Sequence, residues 1–113
     1  MITFRNRAAQ GDLLIRRINQ LPEGLNPVNP VNGKHIVAHS ETGHNHVIVA
    51  DRAEVLTKDK DDGMVMFLVV DNEADLIHER SFDTHETIRI DAGVYEVRRQ
   101  REYTPAGWRR VED

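Results

Sequence analysis

Three histidines fall within one short stretch, His39-Ser40-Glu41-Thr42-Gly43-His44-Asn45-His46, whose turn-forming centre lies between two β-like runs. Imidazole is the commonest metal ligand among side chains and the one most easily protonated near neutral pH. Zinc takes N, O or S ligands at about 2.0–2.3 Å, and two histidines with one carboxylate suit iron(II) with open positions. His44 and His46 stand at i, i+2, so on a regular strand they share a face. They are the first candidates to hold a divalent transition metal (Zn, Fe, Mn or Ni). His39, Glu86 and His85 are the candidates to complete the set, with Glu41, His78 and Glu79 as further donors in the chain. The competing reading is a polar hairpin face in which Thr, Asn and His hydrogen-bond around a tight turn.

The elements that must position these rings are strands. Lys34 to Ser40 and His44 to Ala50 alternate as the two arms of a hairpin. A two-residue loop, Glu41-Thr42 or Thr42-Gly43, puts His39 on the face of His44 and His46. A three-residue loop with Gly43 left-handed turns His39 to the other side. Asp91-Ala92-Gly93 signals a second hairpin between Thr87–Ile90 and Val94–Arg101. An Ala92-Gly93 loop there places Ile88, Ile90, Tyr95 and Val97 on a core face with Glu86 at its end, and turns His85 outward.

Asp12 to Ile18 and Arg52 to Leu56 also read as strands. Met64 to Val70 is apolar on both parities, as expected of a strand covered on both faces. Lys58 to Gly63 is a charged turn. The Pro-rich passage Leu21 to Gly33 cannot be a central strand or a helix interior, and reads as an ordered loop crossing the domain. Helical periodicity is poor, the best stretch being a turn or two within Asn72 to Ser81. Tyr103 to Trp108 reads as a turn that docks Trp108. The expected fold is all-β, a small barrel or jelly-roll-like sandwich with little helix, in a single domain over residues 1–113.

Composition narrows the function. A net charge of −4 with a pI near 5.8 argues against binding nucleic acid by charge alone. Arg98, Arg99, Arg101, Tyr103, Trp108, Arg109 and Arg110 mix arginine with aromatics, but Glu96, Glu102, Glu112 and Asp113 dilute them. The absence of cysteine excludes disulfides, thiolate-bound zinc, iron–sulfur clusters and thiol catalysis. No run approaches the roughly 20 apolar residues of a membrane span, and the start has no secretory-signal pattern. The expected location is cytoplasmic, or within a virion assembled in the host cytoplasm. No phosphate-cradling glycine loop and no Gly-X-Ser-X-Gly elbow occurs.

Two resemblances attach to these residues. His44 and His46, after Gly43, resemble the His-X-His of the first cupin motif. Glu54 comes later than that motif's glutamate, and the second motif's Pro-X-Gly is absent. Gln10-Gly11-Asp12-Leu13-Leu14-Ile15, Thr42-Gly43-His44-Asn45-His46, His85-Glu86-Thr87-Ile88 and Ala92 through Tyr103 together resemble a group of small uncharacterised proteins of bacteria and their phages. The resemblance implies a phage or mobile-element setting and transfers no activity. The chain is therefore read as a metal- or small-ligand-binding β domain. The alternative is a non-catalytic phage structural or assembly module whose partners are copies of itself or other phage assembly proteins. Whether it is an enzyme is left open.

Overall fold

The computed structural model describes residues 2–10, 12–38, 45–58, 65–79, 87–99, 101–104 and 107–110, with Ala38 and the last two stretches as backbone alone. Its described residues form strands and no helix: β1 (Ile2–Thr3), β2 (Arg7–Gln10), β3 (Leu13–Ile18), β4 (Leu25–Pro27), β5 (Lys34–Ala38), β6 (His46–Val49), β7 (Ala53–Lys58), β8 (Val65–His78), β9 (Ile88–Arg99), β10 (Arg101–Thr104) and β11 (Gly107–Arg110). The all-β expectation holds.

The frame is the antiparallel ribbon of β8 and β9, in register from Val65↔Arg98 to Leu76↔Ile88. Each long strand changes its other neighbour halfway along. β9 pairs β3 over Val94–Arg99 and, in parallel, β1 over Ile88–Arg89. β8 pairs β7 over Phe67–Val70 and β6 over Ile77–His78. β2, β4 and β5 extend β3, β7 and β6. One nine-stranded sheet thus has two halves, β2-β3-β9-β8-β7-β4 and β1-β9-β8-β6-β5, which share the ribbon.

The ribbon doubles back between those halves. Its register shifts between Val70 and Glu73, where Asp71 and Asn72 stand opposite Ala92, and an extra residue in one strand bends a sheet. Leu13, Ile15 and Val55 from one half and Val37, Ile48, Leu76 and Ile88 from the other then form a single buried cluster. The far ends of the halves meet, since Gln10 on β2 reaches the Leu76 carbonyl near the end of β8 at 3.0 Å.

This bend corrects the second hairpin of the sequence reading. β9 runs unbroken through Asp91-Ala92-Gly93. Gly93 has φ of +153°, a conformation that L-residues with side chains rarely adopt, and it lets the strand bend without reversing. Ile88, Ile90, Tyr95 and Val97 are all buried, as expected, but a change of alternation within one strand puts them there and not a turn. Arg17 seals the bend. Its Nε donates to the Arg5 carbonyl at 2.9 Å and its Nη1 to the Ala92 carbonyl at 3.1 Å. Its guanidinium lies 4.9 Å from the Tyr95 ring centroid, and Tyr95 Oη donates to the Asp91 carbonyl at 2.7 Å.

The helical turn within Asn72 to Ser81 is also corrected, because Asn72 to His78 belong to β8. Ala74, Leu76 and His78 are buried while Ile77 is exposed, which is a period of two, and the segment is paired by β9 over Glu73–Leu76 and by β6 over Ile77–His78. In the apolar run before it, the successive residues Phe67 and Leu68 are both buried, as a strand covered on both faces requires. The Pro-rich passage holds only the short β4, whose sole partner is β7 and which ends at Pro27. Beyond β9, β10 and β11 pair as a separate two-stranded sheet with Tyr103 opposite Trp108. Pro105 and Ala106, at the centre of the expected turn, and the side chain of Trp108 lie outside the described residues.

A Cβ at Gly93 would collide with Nη1 of Arg17, on a backbone that already disfavours it. Gly93→Ala is expected to lower the unfolding free energy by about 1–3 kcal/mol, read by chemical denaturation. An unchanged midpoint would show that the bend does not depend on glycine.

Candidate functional site

Of the metal candidates from the sequence, His46 is the one the structure describes; His44, His39, Glu86 and His85 lie outside the described residues, as does Glu41. His46 begins β6 and pairs with His78 at the end of β8. Both rings point into the space between the half-sheets and are essentially inaccessible, at 0% and 2% exposure. They stack face to face with centroids 4.2 Å apart and planes 4° from parallel. Rings from neighbouring strands do therefore meet, and the pair is His46 with His78.

The hairpin that delivers His46 combines two registers. Lys34↔Val49, His35↔Ile48 and Ile36↔Val47 follow the Glu41-Thr42 loop, whereas Ala38↔His46, beyond a bulge, follows the three-residue loop. The loop itself lies outside the described residues. Glu79 sits at the surface, paired with Lys34 at 3.1 Å.

Three residues that ligand spacing did not single out complete the setting. The Gln10 Nε2 bond to the Leu76 carbonyl directs its Oε1 at His46 Nδ1, 2.9 Å away. An amide oxygen only accepts, so this contact assigns a proton to Nδ1. His46 Nε2 then faces Asp12 Oδ1 at 3.5 Å. A ring nitrogen and a carboxylate oxygen facing each other at that distance are a donor pair that a cation can bridge. Asp12 is 4% exposed, and Arg99 Nε lies 3.6 Å from its other oxygen. Gln10 and Asp12 flank Gly11 between β2 and β3. Their signal in the sequence was the Gln10-Gly11-Asp12 block of the motif resemblance, which periodicity had assigned no role.

The metal chemistry of this group is partial. The 3.5 Å between His46 Nε2 and Asp12 Oδ1 is close to the roughly 3.4 Å that separates two ligands of one tetrahedral zinc. Gln10 on Nδ1 is the kind of outer partner that orients a ligating histidine. The stack, however, keeps His78 from sharing an ion with His46, because an imidazole lone pair lies in its ring plane and parallel planes do not meet. Among the described residues no three His, Asp or Glu side chains are arranged to hold a metal ion.

A further buried histidine, His35 on β5, stands apart from the stack. It is 5% exposed, and burial pushes its pKa below the ordinary 6.5 while Glu54 on β7 pulls the other way. The neutral form is therefore favoured in the folded state. A depressed folded pKa contributes stability that is present above the unfolded value and lost as the pH falls through the folded one. The unfolding free energy should decline as the pH drops below about 6.5, with a smaller decline in His35→Gln. Parallel pH profiles of the two proteins would contradict this. Separately, Gln10→Ala removes one acceptor from His46 and one donor from Leu76 and should destabilise by about 1–3 kcal/mol. Gln10→Glu keeps the acceptor but sets a buried carboxylate oxygen against the Leu76 carbonyl, and is expected to lose at least as much.

The chain was compared with known proteins. No curated protein and no solved structure matches it. A family described as a domain of unknown function (DUF8820) matches residues 9–100, a span that begins just before Gln10 and contains Asp12, His46, His78 and Arg99. On that match the chain belongs to the DUF8820 family.

Proposed function

We propose that this protein is a metal-binding β domain whose centre lies at the end of the sandwich where Asp12, His46 and Arg99 converge. The reading is carried by one observation. His46, oriented through Nδ1 by Gln10, turns Nε2 toward a buried carboxylate at ligand–ligand spacing. The sequence supplies the other donors. The segment 39–44 connects β5 to His46, and the segment 80–86 follows His78 and Glu79. In this reading His44 joins His46 and Asp12 as a ligand of a divalent transition metal (Zn, Fe, Mn or Ni), and His39, Glu86 or His85 completes the set.

Arg99 lies 3.6 Å from the other oxygen of Asp12 and offsets its charge, and Asp12 and His46 would hold the ion between them. A metal with an open position would activate water or oxygen. Without one the ion would serve binding or structure. The bacterial and phage kinship implied by the motifs, with a cytoplasmic or virion setting and self-association, belongs to the same proposal.

The test is metal content by plasma mass spectrometry on protein prepared without a histidine tag, after exposure to each candidate ion and gel filtration. Wild type should retain about one equivalent of one of them. His44→Ala, His46→Ala and the near-isosteric Asp12→Asn should each lose most of it. His44→Ala and Asp12→Asn keep the test valid if His46→Ala fails to fold. Negligible metal in wild type, or equal content in wild type, His44→Ala and Asp12→Asn, would overturn the proposal.

A further inference from the structure

β8 has a gap along one edge. β7 pairs it as far as Val70 and β6 pairs it from Ile77. The connecting chain, Ile48 to Arg52, does not follow β8 across the interval. It folds back on itself instead, with the Arg52 amide donating to the Val49 carbonyl at 3.1 Å. The strands part there, and an open cleft of about 320 Å³ results. It lies on the face of β8 opposite His78, since Ile77 points outward where His78 points in. Its size is at the lower end of the roughly 300–1,000 Å³ range of small-molecule sites.

The lining has three kinds of surface. Val49 and Ile77, 45% and 37% exposed, supply its apolar side chains, and the strand at Ala74 also borders it. Arg89 and Asp75 form a closed pair, with Arg89 Nε and Nη2 donating to the two Asp75 oxygens at 3.0 and 3.3 Å. The remaining charges are Asp51 and Arg52 on the turn and Glu73 on β8. Among the described residues Asp51 and Arg52 make no ion pair, and Glu73 makes only a 3.7 Å contact with Arg89. A guanidinium and two carboxylates thus remain available around an apolar slot.

We propose that this cleft binds a small zwitterion with an aliphatic body, of the α-amino-acid class. The ligand's carboxylate pairs with Arg52, its ammonium with Asp51 and Glu73, and its hydrocarbon covers Val49 and Ile77. Arginine suits the anionic end because its planar fork matches a carboxylate in two-point contact. The two carboxylates set a preference for a ligand that also carries a cation. The cleft shares no residue with the His46 centre, so the inference is independent of metal binding.

L-Leucine is the probe, with isopentylamine and 4-methylpentanoate as analogues that keep one charge each. Titration of labelled protein, followed by backbone amide resonances, should give a saturable response to leucine confined to residues 49–52 and 73–77. Each analogue should bind at least tenfold more weakly. Arg52→Gln, at the surface, should weaken leucine at least tenfold without changing the melting temperature, and Glu73→Gln, which gives up a 3.7 Å contact with Arg89, should weaken it at least tenfold as well. No saturable response to leucine at about 10 mM, equal binding of either single-charge analogue, or undiminished binding by both variants would overturn the assignment.

Discussion

The bend in the β8–β9 ribbon is the constraint from which the rest of the molecule follows. A strand of 14 residues would extend about 45 Å if straight, which is longer than the molecule's longest dimension of 42 Å. Bending at Asp71-Asn72 turns that length into two short layers with a core between them. The bend also decides which residues meet. The turn between β2 and β3 and the start of β6 occupy opposite ends of the sheet when it is traced along β8 and β9. Doubling back brings Asp12 within 3.5 Å of His46.

Where β2 and β3 meet the end of β8, polar contacts join the layers. Gln10 bridges His46 and the Leu76 carbonyl, and Asp12 lies between His46 and Arg99. Burying a carboxylate is costly unless cations and donors surround it, and a buried polar group that keeps its partners favours one arrangement over others. The group therefore ties the two layers in a single relative position. The same burial gives it chemical potential, since a carboxylate and an imidazole held at fixed spacing out of water bind a cation more strongly than they would at the surface.

The cleft is a second consequence of the long strand. β6 and β7 each pair part of β8, and the chain joining them folds back on itself and leaves the interval uncovered. A gap in a sheet exposes side chains from both of its margins, which is how Val49 and Ile77 remain accessible beside Asp51 and Glu73. The candidate metal centre and the cleft thus lie on opposite faces of one strand.

Much of this was legible in the residues. Strand content, the buried set Ile88, Ile90, Tyr95 and Val97, and the doubly covered run before Val70 all follow from period-two alternation and from turn residues, which act between near neighbours in the chain. Two local signals misled for a physical reason. Ala92-Gly93 has the composition of a hairpin turn, but a glycine with positive φ serves a bend as well as a reversal, and only the partner strand chooses. The helical reading of Asn72 to Ser81 likewise gave way to pairing with β9. Gln10, Asp12 and Arg99 could not be joined to His46 from spacing at all. Their contacts depend on one sheet folding over on itself, and that closure is set by packing between segments far apart in the chain, which alternation within each segment does not encode.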